Sequence, residues 1–263
     1  MSAPPPPTAA ALVIGNELLS GKVQEANLLV LARELRALGV RLRRVVMVED
    51  DPAEIAREVR ALSSTHDWLF TSGGVGPTHD DVTLAAVARA FDVTIERREE
   101  LASLLRGFYG DKVTDGHLQM ADVPVGTELV VEHEGASDDV DVGGGRTRTW
   151  PAILVRNVFV LPGIPQVFQL KLPAVRARLK KTHAAPAFLS MAVLTDMDEG
   201  NLKPLLDAVV ARFPDVDVGS YPAWYGAPYR TKLTFDGRDA ARVAEACEAF
   251  CATLPAGEPK GRE

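Results

Sequence analysis

Short apolar runs alternate with amphipathic segments along the first part of the chain. Ala9 to Ile14 is an apolar run that stops at Gly15, as a buried parallel strand does. From Glu25 to Leu38 the leucines recur at helical spacing, and Gly39 supplies the residue favoured just past a helix end. A strand followed by a helix is the first unit expected of a parallel α/β sheet.

The same alternation continues through the next segments. Each apolar run is followed by an amphipathic one, and Pro52 suits the first turn of a helix. This order predicts the fold class α/β, a three-layer doubly wound and mostly parallel sheet. The further strands are expected at Leu42–Val48, Asp67–Thr71 and about Val93–Glu96, and their helices at Pro52–Ser64, Val82–Phe91 and Arg98–Tyr109.

The second half of the chain is less regular. Strands at Glu128–Val131 and Ile153–Leu161 are expected to form a hairpin whose mobile tip is the acidic, glycine-rich stretch 132–145. One helix then runs from the Pro162–Pro165 segment to about Leu179. Beyond Thr182 the order changes to strand, helix, strand, strand and helix, at Phe188–Leu194, Glu199–Phe213, Val216–Tyr221, Tyr229–Phe235 and Arg238–Phe250.

These patterns divide the chain into two domains. We expect a large α/β domain over residues 9–182 and a smaller α+β domain over 183–255. Residues 1–8 form a proline-rich flexible leader, and residues 256–263 form a frayed tail.

Composition limits the classes of function and partner that are expected. The 263 residues are 46% hydrophobic and 25% charged, which is typical of a globular protein, and the net charge of −7 argues against nucleic acid as the partner. No stretch approaches the ~20 apolar residues that span a bilayer, and residues 1–8 lack the features of a signal peptide. Cys247 and Cys251 are expected to be reduced thiols in the protein core. We therefore expect a cytoplasmic protein that needs neither a membrane nor nucleic acid.

Residues with candidate chemistry follow the strand ends, where ligands of open α/β sheets bind. The loop from Ser72 to Asp81 joins a strand to a helix, and its glycines allow backbone amides to approach an anion at the helix N-terminus. It is not a Walker loop, because no Gly-Lys-Ser/Thr follows, and His79 stands where a dinucleotide fingerprint has its third glycine. The loop is either a phosphate site or a structural turn.

Two carboxylates accompany this loop. Asp50 follows the second strand, and Asp81 lies at the start of the helix after the loop. Carboxylates repel a phosphate unless a divalent cation bridges them, and Mg²⁺ is commonly held in this way. The alternative for Asp80 or Asp81 is a helix cap. Glu17 and Asn27 are further candidates. The alternative for Glu17 is a solvated turn or an N-cap partner, and the alternative for Asn27 is a helix cap.

Three segments carry a family resemblance: Gly15-Asn16-Glu17-Leu18-Leu19-Ser20-Gly21, Gly73 to Thr83, and Val155 to Pro165. They closely resemble the molybdopterin-binding-like family, which includes molybdenum-cofactor proteins, the N-terminal part of competence/damage-inducible protein A and the N-terminal domain of eukaryotic FAD synthase. Gly219-Ser220-Tyr221-Pro222, followed by Trp224, is similar to the FAD synthase version in particular.

The resemblance implies that Asp50 and Asp81 are the two functional aspartates and hold Mg²⁺, Mn²⁺ or Co²⁺. It implies a pocket for molybdopterin in one branch, and metal-dependent hydrolysis of ADP-ribose or FAD in the others. Relatives are commonly homo-oligomers. The implied ligand-binding residues are Gly15, Glu17, Asn27, Ser72, Gly73, Gly74, Gly76, Thr78, Thr83, Pro162 and Gly163.

The chain departs from the family at several points. Asn16 stands where many relatives carry aspartate or threonine. No deamidase or nucleotidyltransferase segment is present, so neither nicotinamide mononucleotide deamidation nor FAD synthesis is expected. The small domain resembles a KH-like module without a Gly-x-x-Gly clamp for nucleic acid. Its aromatic residues either stack on an adenine or flavin or pack the core: Tyr221, Trp224, Tyr225 and Tyr229.

These observations lead to three hypotheses for the function. The first is a divalent-metal-dependent pyrophosphohydrolase that acts on a dinucleotide such as FAD or ADP-ribose. The second is a molybdopterin-binding or adenylylating protein of molybdenum-cofactor assembly. The third is a non-catalytic protein that binds a nucleotide.

Overall fold

The computed structural model describes residues 5–132, 139–141, 146–148, 150–183, 185–223 and 226–263, with the backbone alone at 139–141 and 146–148. The chain divides into two compact units, Met1–Ala185 and Pro186–Glu263. This division lies three residues from the expected boundary. Part of the expected mobile tip, and the stacking candidates Trp224 and Tyr225, lie outside the described residues.

The larger unit is built on a six-stranded sheet. Its strands and the short strands beside it are β1 (Thr8–Ile14), β2 (Arg41–Val48), β3 (Trp68–Ser72), β4 (Ile95–Arg97), β5 (Asp122–Pro124), β6 (Glu128–Val130), β7 (Asp139–Asp141), β8 (Arg146–Arg148), β9 (Ala152–Val155) and β10 (Val158–Leu161). The order in the main sheet is β2-β1-β3-β10-β9-β6. The first four strands are parallel, and β9 is antiparallel to both of its neighbours, β10 and β6.

Helices cover both faces of this sheet. They are α1 (Asn16–Leu19), α2 (Asn27–Ala37), α3 (Pro52–Ser63), α4 (Thr83–Ala90), α5 (Glu99–Tyr109), α6 (Asp115–Gln119), α7 (Pro165–Gln169) and α8 (Leu172–Thr182). Because side chains alternate along a strand, Ala10 and Leu12 pack with α3, α4 and α5, whereas Ala9 and Ala11 pack with α2 and α8. The expected three-layer α/β fold is therefore confirmed, and α1 and α6 are helices that the sequence analysis missed.

Three elements of the larger unit differ from expectation. The run Ile153–Leu161 is not one strand but two, β9 and β10, joined by a turn at Arg156, whose φ is 55°. The expected strand near Val93 is β4, which pairs antiparallel with β5 outside the main sheet. Thr8 belongs to β1 and not to the leader, because it pairs with Arg41 of β2. Its amide and hydroxyl also donate to the Asp67 carboxylate.

The helix expected from Pro165 to about Leu179 is broken at Lys171. α7 ends at Gln169 and α8 begins at Leu172. Pro173 explains the break, because proline has no amide to donate and its ring clashes with the carbonyl four residues earlier. Lys171 is only 5% exposed in this break, and its Nζ donates to the carbonyl of Trp150.

The smaller unit is an antiparallel sheet packed against two helices. Its elements are β11 (Leu189–Thr195), α9 (Glu199–Arg212), β12 (Asp217–Pro222), β13 (Thr231–Gly237), α10 (Ala240–Cys251) and β14 (Gly261–Arg262), in the sheet order β12-β13-β11-β14. Cys247 is buried in its core, as expected.

The chain end also differs from expectation. The expected frayed tail is wrong for its last residues, because β14 pairs with β11 and Glu263 exchanges backbone hydrogen bonds with Ala192. Of the two expected stacking candidates in the described part of this unit, Tyr221 is 56% exposed and so does not pack its core. No helix among the described residues is both long and apolar enough to cross a membrane.

The buried Lys171 predicts how stability varies with pH. Burial lowers the pKa of Lys171 from 10.5 to about 8. Below pH 8 Lys171 is charged in the folded protein, and burial of this ammonium group lowers the free energy of unfolding by its full amount. Between pH 8 and 10.5 the folded state has lost the proton that the unfolded state retains, so this contribution makes the protein more stable as pH rises.

We therefore expect Lys171→Met to stabilise the larger unit at pH 7, by at most about 3 kcal/mol, and to lose most of this advantage by pH 10. Urea unfolding of both proteins at the two pH values measures the difference. Lys180→Met, at an exposed position in α8, is the control and should show no such trend. A Lys171→Met advantage that is the same at both pH values would contradict the prediction.

Candidate functional site

The carboxyl ends of β2, β1, β3 and β10 lie side by side in the sheet and are linked by direct contacts. The Asn16 amide, after β1, donates to Asp50 Oδ2, after β2, at 2.8 Å. The Gly73 amide, after β3, donates to the carbonyl of Leu161 in β10 at 3.1 Å. The segments that follow these four strands, which contain Asn16, Asp50, the glycine loop and Gly163, therefore meet at one edge of the sheet.

The glycine loop begins with two residues that have no room for a side chain. A Cβ on Gly73 would lie 2.2 Å from the Ile14 carbonyl oxygen, and one on Gly74 would lie 2.4 Å from Thr83 Oγ1. Both have positive φ, 112° and 65°, which glycine adopts readily. The buried Thr83 ties the loop to α4, since its hydroxyl donates to the Gly73 carbonyl at 2.8 Å and its amide to that of Gly74.

The middle of the loop presents unused backbone donors. Within the described residues, the amides of Gly74, Val75 and Gly76 have no hydrogen-bond acceptor. Gly74 lies beside the N-terminal end of α4, because its carbonyl accepts a hydrogen bond from the Thr83 amide, and the helix dipole there favours negative charge. Consecutive amides of this kind form a concave anion site, so the loop is suited to a phosphate.

Asp81 is held over this loop. Its Oδ2 accepts hydrogen bonds from the Thr78 amide at 2.8 Å and from the Thr78 hydroxyl at 2.5 Å. A Cβ on Gly76 would lie 2.7 Å from the same oxygen, so the glycine provides room for the carboxylate. The neighbouring Asp80 is exposed.

Asp50 is fixed in a similar way. Its Oδ2 is occupied by the Asn16 amide, and its own amide donates to Asn16 Oδ1 at 3.4 Å. Asp51 has a different task, because it caps α3 by accepting from the Glu54 amide. The Asn16–Asp50 contact is a feature of the site that the sequence analysis missed, and only the position of Asn16 directly after β1 could have indicated it.

The donor set can be tested against a divalent cation. In the described part of the chain, Oδ1 of Asp50 and Oδ1 of Asp81 have no hydrogen-bond donor, whereas both Oδ2 atoms are fixed. No three His, Cys, Asp or Glu side chains in that part form a complete metal-binding group. One or two carboxylates are what Mg²⁺ commonly takes from a protein, and its remaining ligands then come from substrate phosphates and water.

The other expected site residues fall into two groups. Glu17 and Thr78 are exposed, and the Glu17 carboxylate folds back over Gly15, where a Cβ would lie 2.6 Å from its Oε1. Asn27 and Ser72 are buried, and the side chain of Asn27 bonds to Ser72 and to the carbonyl of Gly163, which follows Pro162. Asn27 is thus the first residue of α2 and not its cap, which is Ala26.

Comparison with known proteins identifies the family. Residues 10–180 match the family model described as "Probable molybdopterin binding domain", and residues 187–261 match the "FAD synthase, middle domain". Because the first match covers more than half of the chain, the protein belongs to the molybdopterin-binding domain family.

Individual relatives agree with this assignment. The chain is 34% identical over 242 residues to a "Probable FAD synthase" of Caenorhabditis briggsae, covering 87% of this chain and 46% of that protein. It is 31% identical over 237 residues to a protein of Archaeoglobus fulgidus, covering 90% and 93%. The chain therefore spans about half the length of the FAD synthase relatives but nearly all of the archaeal one.

A solved structure shares the fold. The protein CinA from Thermoplasma acidophilum, described as having unknown function, superposes with a TM-score of 0.55 at 26% identity. The match covers 65% of this chain and 98% of that one. The fold of that structure therefore agrees with the family of residues 10–180, which is described as binding molybdopterin.

The close approach at Gly73 gives a stability prediction. We expect Gly73→Ala to destabilise the larger unit by ~2 kcal/mol or more, because the new methyl group meets a backbone oxygen and the residue keeps a positive φ. Urea unfolding provides the measurement. Gly107→Ala in α5, where a Cβ meets nothing within 4 Å, is the control and should be neutral or stabilising. Equal effects at the two positions would show that the contact at Gly73 is unimportant.

Proposed function

We propose that this protein is a divalent-metal-dependent pyrophosphohydrolase that cleaves a dinucleotide such as FAD or ADP-ribose. The observation that carries the proposal is the position of three free amides, at Gly74, Val75 and Gly76, next to a fixed carboxylate with one unoccupied oxygen. Amides bind one phosphate of a diphosphate, and a cation held by Asp50 and Asp81 compensates the repulsion between carboxylates and phosphate.

The chain's own residues then act by positioning. The glycine loop holds the diphosphate with its charge directed towards α4. Thr78 and Asn16 fix Asp81 and Asp50 through their Oδ2 atoms, so that each Oδ1 keeps one direction. A bound Mg²⁺, Mn²⁺ or Co²⁺ would polarise the phosphoryl oxygen and activate water. Prearranged groups of this kind need little reorganisation when the substrate arrives.

The choice of a dinucleotide rests on the relatives. The resemblance of residues 187–261 to the middle domain of FAD synthase favours a flavin or adenine nucleotide over other diphosphates. A second candidate, binding or adenylylation of molybdopterin, is favoured by the family model for residues 10–180. We further propose that the protein acts as a cytoplasmic homo-oligomer on a small molecule, independently of nucleic acid and membranes.

The test is release of AMP from FAD and from ADP-ribose by the purified protein with Mg²⁺, Mn²⁺ or Co²⁺. We expect metal-dependent turnover that Asp81→Ala and Asp50→Asn each reduce by at least about 100-fold, the lower range for a group that positions a reacting water or proton. Asp51→Asn is the matched control, because Asp51 caps α3 and keeps its capping role as asparagine.

Three outcomes separate the candidates. Turnover lost in the two site variants and retained in Asp51→Asn supports the hydrolase. Retention of a pterin without AMP release would favour the second candidate, binding or adenylylation of molybdopterin, over the hydrolase. Binding of the dinucleotide without turnover under any of the three metals would leave a non-catalytic nucleotide-binding protein.

A further inference from the structure

The side chain of Asn27 joins two strand-end segments that are far apart in sequence. It is 5% exposed, and its Nδ2 donates both to Ser72 Oγ at 3.0 Å and to the Gly163 carbonyl at 2.8 Å. Ser72 ends β3 and Gly163 follows β10, so one amide group at the start of α2 bridges the ends of two adjacent strands. Both hydrogens of Nδ2 are used within the protein, so this group is not a donor to a ligand.

The two segments that Asn27 bridges also touch each other. A Cβ on Gly163 would lie 3.2 Å from the Gly73 Cα, so the chain after β10 packs directly against the first glycine of the loop. The free amides begin at the next residue, Gly74. A shift of the Gly163 segment would therefore move Gly73 and change where these amides point.

We propose that Asn27 is a positioning residue for the substrate phosphate, and that it acts by holding the segments after β3 and β10 at a fixed spacing. This inference rests on the proposed function for its effect on turnover. The geometric part stands on the hydrogen bonds alone. Without the Nδ2 donor, the buried Ser72 hydroxyl and the Gly163 carbonyl lose the donor that joins them, and the segments are free to separate.

A second asparagine provides a matched control. Asn157, in the turn between β9 and β10, also donates twice from Nδ2, to the carbonyls of Ser63 at 2.9 Å and His66 at 3.1 Å. Its backbone carbonyl accepts from the Leu69 amide near the start of β3. Asn27 and Asn157 thus make the same kind of bridge at opposite ends of the β3–β10 pair, and only Asn27 lies at the edge with the glycine loop.

The experiment compares Asn27→Ala with Asn157→Ala in the full chain. The first readout is amide hydrogen exchange without ligand. We expect Asn27→Ala to accelerate exchange of the Gly73 amide by at least about fivefold and to leave Leu69 unchanged, whereas Asn157→Ala does the reverse. The second readout is kinetic: the KM for ADP-ribose should rise about tenfold in Asn27→Ala, with a much smaller change in kcat, and remain unchanged in Asn157→Ala.

The outcomes can be told apart. If wild-type protein fails to turn over ADP-ribose or FAD, the proposed function fails, and the exchange comparison still decides whether Asn27 holds the loop. Equal exchange at Gly73 in the two variants, or an unchanged KM in Asn27→Ala, would overturn the inference. Should Asn27→Ala fail to fold, Asn27→Ser, which keeps a hydroxyl, is expected to show the same pattern with smaller changes.

Discussion

The contact between Gly73 and the ends of the neighbouring strands is the constraint on which the site depends. The backbone of Gly73 passes so close to the Ile14 carbonyl and to Gly163 that no side chain fits there. This closeness brings the segments after β1, β3 and β10 together, and it starts the turn whose next three residues have free amides. Asn27 and Thr83 hold the same turn from opposite faces of the sheet, since α2 and α4 cover different faces.

Charge determines what this edge can bind. Free amides and a helix N-terminus attract an anion, and the carboxylates of Asp50 and Asp81 repel one. Each carboxylate accepts a hydrogen bond through one oxygen from a backbone amide, which fixes its orientation. A cation between the carboxylates and a phosphate would offset their mutual repulsion. For this reason we propose a metal-dependent reaction of a diphosphate.

Much of the position of the site could be predicted from the sequence, because short segments of the chain mark where its strands end. The strand ends are marked by Gly15, Asp50 and the glycine loop, and in a parallel sheet such ends share one edge. Periodicity could not separate β9 from β10, since both are buried and apolar, nor could it show that Pro173 breaks the helix at Lys171. The pairing of β14 with β11 also joins residues that are distant in sequence.

The long-range polar contacts of the site were likewise invisible to sequence reasoning. Asn27 has the residue type and the position of a helix cap, but the partners of its side chain are 45 and 136 residues away in sequence. Asn16 stood out only as a departure from the family pattern, and its exchange of hydrogen bonds with Asp50 emerges from the packing of β1 beside β2. Contacts of this kind depend on the register of the sheet, which no short segment specifies by itself.

The central claim is that the glycine loop binds the diphosphate through its free amides. Titration of ¹⁵N-labelled protein with ADP-ribose and Mg²⁺, followed by amide resonances, tests it most directly. We expect the resonances of Gly74, Val75 and Gly76 to shift together and to saturate with a single dissociation constant. Saturable binding that leaves these three amides unshifted would contradict it.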